Sequence, residues 1–252
     1  MQGCGFALRH VTGCWRLLRM LGHILTGVWT AAVHLPRLSP SGQSAQVQAW
    51  ALALLGHAGI ALETRGQPPV GGPLLLVCNH ISWLDIPVMH AVCPCRFVSK
   101  SDLRGWPLVA SLAKAAGTLY IERSSRRDAL RVVHEMAQAL RAEDVLAVFP
   151  EGTTGDGRTL LPFHANLLQA AVSTGAPVQA VGLRFVDQGS GQISHAPSYM
   201  GDETLFGSIW RTVSASPIIA VVHYGEPERA NGRDRRAWSR DLRNVIDGLR
   251  QS

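Results

Sequence analysis

Hydrophobic positions fall into two regimes along this chain. Over residues 17–36 and again over 47–62 apolar side chains run on nearly unbroken, whereas from residue 73 onward short β-branched runs alternate with longer stretches of helical period. The second regime predicts strands at 74–78, 96–99, 119–121, 145–149, 178–185 and 218–224. Leu130, Val133, Ala137 and Leu140 mark one helical face between them, and Trp238, Leu242, Val245 and Leu249 mark another near the C-terminus. Such strand–helix alternation specifies an α/β fold with a mixed, largely parallel sheet flanked by helices. Residues 187–198, rich in Gly and Ser, read as a long surface loop.

The first regime reads differently. Arg9, Arg16 and Arg19 precede or open the first apolar run, the layout of a signal peptide or a membrane anchor. A cleavable signal fits poorly, because Val33-His34-Leu35-Pro36 offers no small-x-small site. Met20 to Leu35 makes about 24 Å of helix, short of a bilayer core of about 30 Å, and contains His23 and His34. A break bearing Pro, Ser and Gly at 36–42 separates it from the second run. Two short apolar helices joined by a turn form a hairpin lying in one leaflet, with arginines at the headgroups. The alternative is a helical pair packed on the globular domain. The expected organisation is an N-terminal membrane-associated helical hairpin over 1–65 and an α/β domain over 66–252.

Composition narrows the chemistry. At 252 residues, 46% hydrophobic and 17% charged, the chain supports a sizeable core and is neither disordered nor disulfide-stapled. The 24 basic and 18 acidic residues leave a charge of +6, and Lys100 and Lys114 are the only lysines. Arginine suits phosphate-bearing partners without choosing among nucleic acid, anionic lipid and a soluble phosphorylated compound. The 6% aromatic content, with no interleaving of the arginines, argues against nucleic acid. Five cysteines are an odd number, and Cys93 and Cys95 flank a single proline, too tight for an ordinary bridge. Free thiols in a reducing compartment are expected. His90, Cys93 and Cys95 supply three of the four ligands structural zinc requires and nothing nearby supplies the fourth, so no metal is expected. No Gly-x-Ser-x-Gly elbow, dinucleotide glycine fingerprint, Walker loop or paired-histidine zinc helix occurs.

Candidate chemistry begins at Asn79-His80-Ile81-Ser82-Trp83-Leu84-Asp85, directly after the 74–78 strand. Ligands of open α/β sheets bind at the carboxyl ends of strands, where His80 would stand. His80 and Asp85 are about 140° apart on a regular helix, so they meet only on a turn. Pro87 agrees, because it is tolerated in a first helical turn and so starts the helix near Asp85 or Ile86. A carboxylate there accepts the proton on one imidazole nitrogen and leaves the other as a base. The alternative is that Ser82-x-x-Asp85 is a capping box and His80 an ordinary strand-end residue.

Three further blocks follow in order: Gly117-Thr118-Leu119-Tyr120-Ile121-Glu122-Arg123, Phe149-Pro150-Glu151-Gly152-Thr153, and Ala176-Pro177-Val178. With the His80 block they span residues 70–185 and resemble the glycerolipid acyltransferases of the 1-acylglycerol-3-phosphate acyltransferase family. The resemblance implies transfer of an acyl group from acyl-CoA or acyl carrier protein to the sn-2 hydroxyl of a lysophospholipid, without a cofactor or metal. His80 would deprotonate that hydroxyl and Asp85 would orient it and stabilise the imidazolium. Arg123 would hold the acceptor phosphate, with Lys100 a second candidate, and Glu151, Gly152 and Thr153 would line the acceptor pocket. Because the donors are cytosolic, the site would face the cytoplasm at the inner membrane.

The chain departs from the family at one point. Members often carry arginine after Glu-Gly-Thr, whereas Thr154 stands here. That departure, together with Tyr199-Met200-Gly201-Asp202 ahead of a helix at Leu205, resembles a relative that acylates lyso-ornithine lipid. Lysophosphatidic acid is the first acceptor expected and lyso-ornithine lipid the second. A catalytically silent lipid-binding module and a thioester hydrolase are the readings from other classes.

Overall fold

The computed structural model describes residues 2–100, 107–121 and 126–252. Seven strands form one sheet: β1 (Ile60–Arg65), β2 (Leu74–Cys78), β3 (Arg96–Lys100), β4 (Leu119–Ile121), β5 (Val145–Val148), β6 (Val178–Asp187) and β7 (Ile218–Glu228). Their order is β1-β7-β6-β2-β5-β3-β4, and every neighbouring pair is parallel except β6 with β7. Among the described residues eight α-helices accompany them: α1 (Gln2–Val33), α2 (Pro40–Ala58), α3 (Asp85–Val92), α4 (Pro107–Ala115), α5 (Arg126–Arg141), α6 (Gln169–Thr174), α7 (Leu205–Val213) and α8 (Arg235–Gln251).

A central parallel strand must be covered on both faces, and β2 is: all five of its residues are buried. Its side chains alternate between two cores. Leu74, Leu76 and Cys78 pack with residues of α1, α2 and α3, while Leu75 and Val77 pack with α5, α6 and α8. The helices present slightly different faces from those the sequence suggests. Leu130 is 72% exposed and α5 buries Val132, Met136, Ala137 and Leu140, a face rotated by about one position. On α8, Ile246 takes the buried place expected for Val245.

The N-terminal part differs more. α1 reaches back to Gln2, and α2 stops at Ala58 instead of continuing to Leu62. Gly59 ends it in a left-handed conformation, φ +77°, and the chain enters β1, which pairs in register with β7 from Ile60↔Ile218 to Arg65↔His223. The sheet therefore begins inside the segment expected to be all helical. Between α1 and α2, Leu35–Arg37 forms a 3-10 turn, and Ser39 caps α2 by accepting from the Gly42 N–H. α1 packs inward through Met20, which is buried, and its Gly27 lies against the Trp50 indole. Arg16, expected at lipid headgroups, instead turns inward and donates to the Val213 and Ala215 carbonyls at the end of α7, at 3.0 and 3.1 Å. Among the described residues no helix is long and apolar enough to cross a membrane.

Candidate active site

The carboxyl end of β2 runs into a tight turn, residues 80–84, before α3 starts at Asp85. Asp85 is fully buried, and its Oδ2 receives three donors: His80 Nδ1 at 2.8 Å, the Ile81 N–H at 2.6 Å and the Ser82 N–H at 2.9 Å. A carboxylate only accepts, so Nδ1 carries the imidazole proton and Nε2 bears the lone pair. The bond from Ser82 N–H to Asp85 closes the turn ahead of α3, whose N-cap is Leu84 without a side-chain cap, so the same carboxylate that braces the turn orients His80. The Ser82-x-x-Asp85 capping box does not form, because the Ser82 hydroxyl is taken by the Pro197 carbonyl and the Leu84 N–H.

Around this turn the chain is fastened from several sides. Asn79, buried at the end of β2, donates to the Leu183 carbonyl at 3.0 Å and accepts from its N–H at 2.7 Å, bridging to β6. The Ser82 hydroxyl donates to the Pro197 carbonyl, and the Tyr199 N–H donates to the Ile81 carbonyl. Gly155 N–H donates to the His80 carbonyl at 2.8 Å. The imidazole lies flat on Phe149, which follows β5, with ring centroids 4.0 Å apart and planes 7° from parallel. Phe149 in turn stacks on Phe97 of β3. The His80 side chain is 18% exposed, so a base fixed on three sides still meets solvent.

Glu151 occupies a place its sequence block does not reveal. It is buried, and both carboxylate oxygens accept backbone N–H groups: Oε1 from His80 at 2.7 Å and Oε2 from Leu161 at 2.8 Å. Burial raises its pKa above the ordinary 4.5, against the pull of those two bonds. Gly152, at φ +72°, turns the chain beside it, and Thr153 is exposed. Lys100 ends β3 at the same carboxyl-terminal side of the sheet as His80. Arg123 lies outside the described residues. Thr154, the departure noted in the sequence, donates its hydroxyl to the Tyr199 carbonyl and so ties the two distinctive loops together.

The thiols stand apart from this machinery. Cys14, Cys78, Cys93 and Cys95 are free, the last three buried, and Cys93 Sγ lies 3.6 Å from the Tyr224 hydroxyl. His90 is edge-on to Phe97, and burial drives its pKa down to about 4. Among the described residues no three His, Cys, Asp or Glu side chains converge as metal ligands.

The sequence profile of the Acyltransferase family matches residues 60–184, which hold the His80 turn, the Glu151 turn and the Asn79 bridge to β6. The chain is 36% identical to a 1-acyl-sn-glycerol-3-phosphate acyltransferase of Neisseria gonorrhoeae over 186 residues, 73% of this chain and 72% of that one. It is 33% identical to a lyso-ornithine lipid O-acyltransferase of Pseudomonas aeruginosa over 238 residues, 92% of this chain and 90% of that one. Its fold resembles the crystal structure of the 1-acyl-sn-glycerophosphate acyltransferase of Thermotoga maritima, with a TM-score of 0.63 at 19% identity over 94% of this chain and 98% of that one. With the two enzyme relatives aligned over most of their length and the His80–Asp85 turn inside the matched region, the chain belongs to the acyltransferase family.

Proposed function

We propose that the protein transfers a fatty acyl group from the thioester of acyl-CoA or acyl carrier protein to a lysolipid hydroxyl, by general-base catalysis at His80. The single observation that carries this reading is the 2.8 Å bond from His80 Nδ1 to a buried carboxylate that already anchors its own turn. Nε2 removes the hydroxyl proton as the oxygen attacks the thioester carbonyl, and Asp85 stabilises the imidazolium that forms. Collapse of the tetrahedral intermediate breaks the C–S bond, and the proton returns to the departing thiolate. The acyl group moves directly to the acceptor, and neither a metal nor a cofactor takes part. Glu151 serves this step from below by holding the His80 N–H. Lys100, Gly152, Thr153 and Arg123 are the acceptor-side residues in this scheme.

The first acceptor is 1-acylglycerol-3-phosphate, acylated at its sn-2 hydroxyl to give phosphatidic acid, as the arginine-rich charge and the Neisseria relative's name suggest. A specific observation favours lyso-ornithine lipid as the second. The hydroxyl of Thr154, which replaces the family's usual arginine, is committed to the Tyr199 carbonyl, and the Pseudomonas relative aligns across nearly the whole chain.

The working position is the cytoplasmic face of the inner membrane. Val11, Trp15, Leu18, Leu21, Leu25, Trp29 and Val33 recur every three to four residues on α1 and all face outward. An uninterrupted apolar stripe of that kind lies in the interface, with the exposed Arg9 and Arg19 beside it for anionic headgroups.

Detergent-solubilised protein given labelled acyl-CoA with lysophosphatidic acid, with lyso-ornithine lipid, or with no acceptor tests the function. Diacyl product in one tube, abolished by His80→Ala, is the expected result and names the acceptor. Free fatty acid in the tube without acceptor marks a thioester hydrolase, and silence in all tubes with lipid still bound marks a binding module.

A further inference from the structure

α8 covers one face of the sheet closely but incompletely. At Gly182 of β6 a Cβ would collide with the Arg250 backbone nitrogen and Leu249. Two residues further along the strand the helix has run out. Register brings Arg184, Val221 and Glu63 into one row across β6, β7 and β1, and Val186 beside Ile219 into the next. These side chains, with Arg65 and with Gly191 and Ile193 from the following turn, line an open cleft of about 310 Å³, large enough for part of a small ligand.

Its two guanidinium groups are unequally partnered. Glu63 pairs with Arg65 at 2.7 Å, and Arg65 also donates to the backbone oxygen of Ser252 at 2.8 Å. Half-buried Arg184 makes one long bond, 3.5 Å to the Arg250 carbonyl, and its Nε is enclosed with no partner. Burial first and the neighbouring Arg65 second push its pKa down, with Glu63 pulling the other way. Partly desolvated guanidinium groups are held at a cost until an anion meets them, and carboxylate or phosphate does so with a fork of hydrogen bonds. Beside this cation the wall is apolar: Val186, Ile219, Val221 and Ile193, the last 57% exposed at the rim.

We propose that this cleft is a second lipid site, which binds a single-chain amphiphile by its anionic head, carboxylate or phosphate, on Arg184 with the first methylenes over Val186, Ile219 and Ile193. It is separate from the catalytic turn but next to its support, because Arg184 directly follows Leu183, whose N–H and carbonyl are both held by Asn79. The inference holds for either acceptor.

The experiment titrates the full chain, below micellar concentrations, with a dansyl-labelled undecanoate and with an alkyl phosphate. Inorganic phosphate and a fatty alcohol serve as competitors. Both amphiphiles are expected to bind, Arg184→Gln to weaken them by about tenfold or more, and Ile193→Ser to weaken them several-fold. Unchanged affinity in Arg184→Gln, or displacement by inorganic phosphate as effectively as by the alkyl phosphate, overturns the proposal. Ile193 is exposed and dispensable to the core, so undiminished affinity in Ile193→Ser overturns it as well should Arg184→Gln fold poorly. Acyl transfer measured on the same variants reports separately on the catalytic reading.

Discussion

A single oxygen of Asp85 carries three hydrogen bonds, and the consequence is concentrated function at one atom. Asp85→Asn keeps the shape but offers the imidazole an amide that can present its own N–H, which favours the wrong tautomer. In a triad-like arrangement that error lowers kcat on the order of 10³- to 10⁴-fold. Steady-state acyl transfer measures it, and a loss smaller than tenfold would remove Asp85 from the mechanism. Glu151 yields a different prediction, on stability. Its folded pKa stands above 4.5, so the native state binds its proton more tightly than the unfolded chain does. Ionising it therefore costs stability as pH rises through the raised value. Glu151→Gln has no such step, so urea unfolding from pH 4.5 to about neutrality should show wild type losing ground to the variant as pH rises. A stability difference that stays flat across this range contradicts the assignment. The His80–Asp85 pair was legible in the sequence because five residues and one proline confine it to a turn. Asn79's partner was not, since Leu183 lies 104 positions away and only the sheet order brings it near.

At the scale of elements, the junction of α2 and β1 shows where pattern reading stops. Ile60, Ala61 and Leu62 extend the apolar run of α2 without a change in hydrophobicity, and the change of element rests on Gly59 alone. Its left-handed backbone both ends the helix and leaves room for the Arg16 guanidinium, which a Cβ would displace. Arg16 thereby joins α1, the α2–β1 turn and the last carbonyls of α7. Gly59→Ala is expected to destabilise the protein by about 1–2 kcal/mol from backbone strain, with more from Arg16 losing its place. Chemical denaturation reads that loss directly, and a neutral outcome would mean the turn tolerates another conformation. Strands β2 to β7 were legible because their β-branched runs sit between clear breaks. The edge strand β1, half exposed and carrying Glu63 and Arg65, lacks that signature.

For the whole molecule, the alternative of a helical pair packed on the domain describes the inner side of α1, and the proposed lipid contact would fall on its outer side. α1 buries Met20 and Arg16 inward while Trp15 and Trp29 stand 61% and 64% exposed on its outer face. Sequence periodicity alone gives no account of which face is core and which is outer, because apolar residues stand on both and the outer one holds the larger share; the packing of α2, α4 and α7 decides it. Deleting the helix would open the core along with the outer surface and so confuse folding with lipid contact. Replacing outward residues alone separates them. Each large apolar side chain taken from water contributes about 1.5–3 kcal/mol when fully buried, and an interfacial residue a fraction of that. Trp15→Ser with Trp29→Ser should therefore weaken binding to anionic vesicles by roughly ten- to a hundredfold. Turnover of a short-chain, monomerically soluble acceptor should stay at the wild-type rate, since neither side chain touches the His80 turn. Vesicle co-sedimentation and that soluble assay, run on one preparation, decide the matter: equal sedimentation of variant and wild type would place the lipid contact elsewhere, and a fall in soluble turnover would make α1 part of the catalytic architecture.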